Sequence, residues 1–500
     1  MKPLQVTVGS FVASLALMTS GCGDDRGTGN SDAGGDSASG GFGAGGSGVG
    51  GSPDGGAGGA GGAMPIESCT FELGATIGER CGVFVDPSGA TSGDGSRSAP
   101  FKSLGEAIEH GRAASYFICN TGELEEAVFL PVGSHLHGNI ECETWAWTDE
   151  RARWKGPDES IAIRILGPDS APANPELPTS IEGLEITSGA ATETSRSPTA
   201  IVAKNAYVEL RNVVILMQPG VDGADGSAGS AGSPGADGFD GGVIPACASY
   251  DGPAGGGSTC GANGGAGGTY KNSFNNCLPF NGGDGLPNQD NGGTSGTTCT
   301  AGQDGSSSSV NGAPGQRGMG RGTVGRDGYV GDNGGAGGPG APGGGGGGGG
   351  AHDVSGTYYS GDSGGAGGCG GAGGAGGTYG GSSIALISLQ SLWAFENVRI
   401  QPGSGGDGGI GGMGGVGGAG GVSGNNMALA AVCTAGDGGN GASGGRGGAG
   451  SGGHSAAIAY VGMEPPVAGI QILGAFHAGA GPDAADDGLG QVAIELGATP

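Results

Sequence analysis

The sequence predicts an all-β chain, a right-handed parallel β-helix (solenoid) interrupted by glycine-rich insertions that are either polyproline-II-like or disordered. Three observations carry that expectation. First, a β-rich stretch recurs: YVELRNVVILMQPG from Tyr207 to Gly220, WAFENVRIQPG from Trp393 to Gly403, and VAGIQILGAFHAGAG from Val467 to Gly481. Each copy holds an apolar-x-apolar element (Val213 and Ile215, Val398 and Ile400, Ile470 and Ile472), the period of a strand with one buried face. Second, the first two copies end in Gln-Pro-Gly and run into long glycine tracts; glycine supplies 130 residues, about four times its usual share. Third, aromatics make up 5% and charged residues 13%, so large apolar side chains are few and clustered. Stacked short rungs bury a continuous core from such a supply, because each rung contacts only its neighbours.

Residues 1–22 read as an export signal, with Lys2 as the positive start and Val6 to Met18 as a short apolar run. It is too short to span a bilayer. It ends in Thr19-Ser20-Gly21-Cys22, which resembles the lipobox of bacterial lipoproteins. That resemblance implies cleavage before Cys22, lipidation of Cys22, and a lipid bilayer as partner. Residues 23–66 are a Gly/Ser/Asp-rich tether without core-forming residues, with a coil reach of about 35 Å. Residues 67–219 are expected to be the N-terminal part of the β-helix. There Ser103 caps a short helix with Leu104, Ala107 and Ile108 on one face, ended by Gly111. The run Gly93-Asp94 through Ser98-Ala99-Pro100-Phe101-Lys102-Ser103-Leu104 to Ala107-Ile108 resembles the start of pectin-lyase-like right-handed parallel β-helix proteins, in which such a helix caps the open end. Short alternating runs at 116–119, 127–130, 135–140, 161–166, 181–186 and 199–217 read as strands, with room for about six rungs of about 20–25 residues.

Residues 220–381 are the first insertion, 382–402 a further rung, 403–454 the second insertion, and 455–500 a last rung and tail. The insertions open with a strict glycine period of three and shift to a Gly-Gly-x repeat. A period of three belongs to polyproline-II and to collagen, but collagen needs more proline than these tracts hold. Glycine helices packed side by side, with the third residue facing outward, fit better, and disorder remains the other reading. The tracts are similar to the glycine-rich helix bundles of some antifreeze proteins and phage-tail adhesins, and to mycobacterial PGRS tracts.

The net charge of −28, from 19 basic and 47 acidic residues, excludes a nucleic-acid partner and electrostatic attraction to anionic lipid. Of eleven cysteines, all but Cys22 read as disulfides of an exported protein. The expected partners are sequence neighbours: Cys69–Cys81, Cys119–Cys142, Cys247–Cys260, Cys277–Cys299 and Cys369–Cys433. No C-x-x-C pair suggests a zinc site.

No cofactor is expected, and calcium is weighed only because Asp222, Asp225, Asp237, Asp240 and the Asp483, Asp486, Asp487 cluster lie among glycine turns; these read as solvated. His135 and His137 alternate on one strand face, where a metal site and a plain strand face are the alternatives. Trp145, Trp147 and Trp154 are read as packing on the solenoid flank rather than as sugar platforms. Arg164, Arg211 and Arg399 fall in strands without an Asp pair, and Arg211 and Arg399 point to different faces. The expectation is therefore no catalytic residue and no metal ligand. The expected function is a non-catalytic, surface-exposed lipoprotein of outer-membrane or cell-surface address, with an adhesion, matrix or structural role toward surface polysaccharide or other cells. The alternatives are a carbohydrate-active enzyme (polysaccharide lyase or hydrolase) of the pectin-lyase type, and a cold-surface binder built on ordered glycine helices.

Overall fold

The computed structural model describes residues 69–499, apart from residue 70 and the stretches 90–92, 112–113, 246–248, 274–275, 288–291, 296–297, 427, 483 and 485. The signal segment, Cys22, the tether and Cys247 lie outside the described residues. Ile66–Pro500 is one compact unit.

Three six-stranded parallel sheets form the solenoid. Sheet I holds Val83–Val85, Ser115–Cys119, His135–Ile140, Pro178–Glu182, Tyr207–Arg211 and Leu392–Glu396. Sheet II holds Glu123–Glu125, Ala152–Lys155, Leu184–Thr187, Val214–Leu216, Val398–Gln401 and Ile470–Ile472. Sheet III holds Val128–Phe129, Ile163–Leu166, Thr199–Lys204, Ser383–Leu389, Ser455–Val461 and Gly490–Glu495. The chain visits I, II and III in turn, as a parallel β-helix requires. The three sequence copies stack in register, with Val398 on Ile470, Ile215 on Ile400, and Ile400 on Ile472. Val213, Ile215, Val398 and Ile400 are fully buried in the central core with Trp154, Leu184 and Leu210.

In the later turns two corners are tight, and both use left-handed residues. Gly183, Asn212, Asn397 and Gly469 (φ +68, +52, +51 and +88°) turn the chain from sheet I to sheet II. Asn205, Gln390 and Gly462 (φ +48, +53 and +90°) turn it out of sheet III. Asparagine tolerates this region through local hydrogen bonding, and here it also stacks: Asn397 Nδ2 donates to Asn212 Oδ1 at 3.1 Å. The run expected as one strand at 181–186 is split by this corner at Gly183. Five of the six strands of sheet I precede the first insertion rather than six rungs, because the loops between strands are longer than the assumed repeat. The capping helix is Leu104–Glu109, with Glu106 N–H donating to Ser103 Oγ at 3.2 Å and Leu104 and Ala107 buried. Glu126 adds acceptors for the Leu104 and Gly105 amides.

The third corner, from sheet II to sheet III, is where both glycine-rich insertions leave. They are ordered. Extended segments 220–241, 300–318, 332–351, 360–381, 403–425 and 434–453 pack side by side, joined by short hairpins such as Thr323–Gly325 with Gly328–Val330. Their backbone hydrogen bonds recur every three residues, the period of polyproline-II. Gly223, Gly226, Gly229, Gly232, Gly235 and Gly238 donate to the carbonyls of Asp407, Ile410, Met413, Val416, Ala419 and Val422 at 2.7–2.9 Å. Segment 360–381 runs antiparallel to 220–241, with Ala366, Cys369, Ala372, Ala375 and Thr378 donating to Ala236, Ser233, Ser230, Ser227 and Ala224.

Glycine is demanded here by space and not by φ. None of the glycines in these six segments is left-handed; Gly320 and Gly322, which are, lie beyond them at the hairpin edge. A Cβ built on Gly371 falls within 3.0 Å of the Gly415 and Val416 backbone. In the run Gly343–Gly350 all three faces are filled. Gly343, Gly346 and Gly349 donate to 362–368, Gly344, Gly347 and Gly350 to 300–306, and Gly345 and Gly348 to Leu286 and Gly283.

Four disulfides join cysteines that both lie among the described residues. Cys69–Cys81 and Cys119–Cys142 are the expected neighbours. The remaining pairings are corrected: Cys260 joins Cys369 and Cys299 joins Cys433. Cys277 is disulfide-bonded as well. Along a three-per-turn extended helix, residues a dozen apart lie far from each other, whereas antiparallel packing brings residues more than a hundred apart into contact.

Candidate functional site

Chemistry-bearing side chains concentrate on the outer face of sheet I. Parallel register sets them in rows. His135, Ser180 and Glu209 lie on consecutive strands, as do His137, Glu182, Arg211 and Glu396. The alternation of a strand puts both rows on the face opposite Leu136, Ile181 and Leu210, which are buried in the solenoid.

Ser180 Oγ lies 2.7 Å from His135 Nδ1. Burial holds His135 below its ordinary pKa, with His137 and Arg211 adding to the fall and Glu209 opposing it. A neutral imidazole beside a hydroxyl is a base-and-hydroxyl pair. Arg211 Nη2 pairs with Glu209 Oε2 at 2.7 Å, and its Nε stands 3.9 Å from Glu396 Oε2. A hydrogen bond to Glu209 raises the Tyr207 phenol above its ordinary pKa. His137 is 8% exposed. It packs against Phe71 and Phe117, whose rings also touch each other, with Trp147 at its edge, and its Nδ1 is 3.6 Å from Glu182 without a hydrogen-bond partner.

The structure thus brings His135 and His137 to one face but gives them different surroundings, one on a serine and one against an aromatic cluster. Arg211 is on sheet I, Arg399 on sheet II and Arg164 on sheet III, so they form no common site. The acidic partners of Arg211 are glutamates, Glu209 on its own strand and Glu396 on the next, which a search for paired aspartates passes over. Trp154 lies inside the solenoid rather than on its flank, and Trp145 packs with Phe84 and Cys142 in a smaller cluster.

The bundle aspartates are exposed, as expected, but they stand along ordered extended segments and each has a backbone partner. Asp222, Asp225, Asp237 and Asp240 each accept from an amide 185 residues on, those of Asp407, Ile410, Val422 and Asn425, at 2.8–2.9 Å. These are the outward-facing residues of the neighbouring helix, whose N–H groups have no backbone partner there. The same offset relates Asn212 to Asn397, so bundle and solenoid share one register. Asp486 is buried and 3.3 Å from Arg317, while Asp483 lies outside the described residues. Among the described residues two groups bring metal-type ligands together, Cys299 with His352 and Cys433, and Asp86 with Cys119 and Cys142. In each the cysteines form a disulfide and offer no thiolate.

One face of the bundle carries a regular apolar row. Ile410, Met413, Val416 and Val422 point outward at the three-residue period, with Met413 and Val416 about two-thirds exposed. No described helix is long and apolar enough to cross a membrane. Comparison with family models, curated proteins and solved structures finds no match. The class of protein is therefore set by its architecture alone: a disulfide-bonded β-solenoid of exported type carrying a glycine-helix bundle.

Proposed function

We propose that this is a non-catalytic, surface-exposed protein, anchored by lipid at Cys22, that uses the glycine bundle as a rigid contact surface in adhesion or matrix assembly. The observation that supports this reading is the row Ile410, Met413, Val416 and Val422. Large apolar side chains held outward on a backbone whose glycine faces are already filled form a fixed ridge, and exposed apolar patches of this kind mark interaction sites. The solenoid supplies the base from which the bundle projects, and the tether gives it reach from the bilayer.

The test compares binding of the full chain to whole cells and to surface polysaccharide with that of a Met413→Asp, Val416→Asp variant. Both side chains are exposed, so the fold is retained. A loss of tenfold or more is expected, and unchanged binding sinks the ridge as the contact surface. Anchoring is read from the membrane fraction, which Cys22→Ser should abolish.

A second reading rests on the sheet I face. Carboxylates Glu182, Glu209 and Glu396 around Arg211, with the Ser180–His135 pair, are the residue types a carbohydrate-active enzyme of this fold would use for proton transfer. Release of reducing ends or unsaturated products from acidic polysaccharides, lost in Glu209→Gln, would favour it over the first.

A further inference from the structure

Sheet I stops one turn before its neighbours. Sheet III continues past Ser383–Leu389 with two more strands, and sheet II continues past Val398–Gln401 with Ile470–Ile472. Leu392–Glu396 pairs with Tyr207–Arg211 on one side, and among the described residues no strand pairs with its other side. In a parallel ladder, alternate residues turn their backbone groups to each side. Leu392 N–H donates to Ala206 C=O, and Glu396 C=O accepts from Asn212 N–H, both at 2.9 Å on the paired side. The backbone groups of Trp393 and Phe395 are thus the ones turned to the unpaired edge.

Residues 462–469 occupy the place of the next strand, but as a loop holding Pro465 and Pro466. Proline has no N–H to give a ladder. The loop closes on the strand at Phe395, whose carbonyl leaves no room for a Cβ on Gly469. Toward Trp393 it stands off, and a slot of about 310 Å³ opens, lined by Pro175, Tyr207, Leu392, Trp393, Met463 and Pro466. The Trp393 side chain also packs in the solenoid core, its indole N–H buried without an acceptor. Glu464 also lines the slot, and Glu396 is exposed at the strand's end.

We propose that this slot receives an extended peptide segment of a partner protein, which adds as the missing strand of sheet I. The unpaired edge calls for main-chain donors and acceptors in extended spacing, the recognition mode of strand addition. The Trp393–Met463–Pro466 lining calls for an apolar anchor. Glu464 and Glu396 call for a lysine or arginine on either side of it. The slot lies on the solenoid, separate from the bundle ridge, so the two readings fail independently.

The probe is a capped pentapeptide of alternating lysine and valine, added to the full chain with disulfides intact. Amide hydrogen exchange should slow at least tenfold at Trp393, where the edge is open. The same peptide N-methylated on its valine amides, which keeps the apolar and charged groups but removes ladder donors, should bind at least tenfold more weakly. Met463→Lys, an exposed change that places like charge in the slot, should weaken the parent peptide similarly. Met413→Asp with Val416→Asp should leave it unchanged. Equal binding of the methylated peptide, no protection at millimolar peptide, or protection only at the Gly490–Glu495 edge overturns the proposal. So does protection of Trp393 without peptide in a sedimenting dimer, which would show a second copy on the edge.

Discussion

Replacing Gly371 by alanine tests the claim that glycine fills the bundle because there is no space for a side chain. The new Cβ would enter the Gly415 and Val416 backbone, and no flexible side-chain end is there to yield. Segments 360–381 and 403–425 must then separate locally. The bonds nearest the clash are Gly415 N–H to Ala372 C=O at 2.8 Å and Gly371 N–H to Ala442 C=O at 2.9 Å. Overpacking costs about 1–3 kcal/mol, and the weakening of one of these bonds adds about 0.5–1.5. The expected loss is thus about 2–4 kcal/mol. Gly257 is the control, exposed, outside the left-handed region and with nothing within 4 Å of a Cβ. Gly257→Ala should stay within about 1 kcal/mol of the parent, on the stabilising side if it acts through the unfolded chain. Native-state amide exchange of residues 403–421 on the disulfide-intact protein reads the difference directly. Gly371→Ala should speed exchange about 30- to 1000-fold, and equal rates in the two variants would refute the packing argument.

Three further outcomes follow from named contacts. Cys260–Cys369 closes 109 residues, so Cys369→Ser should cost about 4–5 kcal/mol on the loop-entropy model, and mapping of unreduced peptides should recover Cys260 linked to Cys369. His454 is buried and held neutral, its pKa lowered chiefly by burial, with Nδ1 accepting from Leu489 N–H at 2.9 Å and Nε2 donating to Arg321 C=O. A histidine whose folded pKa lies below its unfolded value of about 6.5 makes the folded state bind fewer protons. Stability should be whole above that pH and fall as pH drops below it, and His454→Gln should flatten the midpoint-against-pH profile. Asp225→Ala removes the acceptor of the Ile410 amide and should cost about 1–2 kcal/mol, while millimolar calcium should leave the parent's melting midpoint unmoved; a calcium-dependent rise would return these aspartates to the role of ligands.

Much of this architecture is legible because each physical demand leaves its own period. Period two with stacked copies marks Val213, Val398 and Ile470 as one buried row. In the bundle, the number of glycine positions per turn tracks the number of filled faces. Segment 220–241 has one glycine row and two outward rows, segment 364–377 has two rows with alanine or cysteine as the third, and Gly343–Gly350 has three. What the period cannot show is which segment packs on which, since a slip of three residues leaves the pattern unchanged. The register is fixed by features outside the repeat: the 185-residue offset inherited from the solenoid, the aspartates that reach across it, and the long-range disulfides. Near-neighbour pairing therefore succeeds at Cys119–Cys142, where a single turn doubles back, and fails at Cys260 and Cys299.

The sheet I face follows the same logic. His135 and His137 are visible as an i, i+2 pair on one strand, but their partners Ser180, Glu182 and Glu209 come from other turns. Setting YVELRN over LWAFEN places Arg211 beside Glu396 and Glu209 beside Ala394, so the two upper turns are readable from the repeat. The Pro178–Glu182 and His135–Ile140 turns have no such copy, and their loops differ in length, so only the folded chain aligns them. A solenoid site is assembled along the stack while the sequence runs around it. Its residues are therefore spaced by whole turns whose lengths the insertions set, and motif spacing along the chain loses its meaning where the turn length varies.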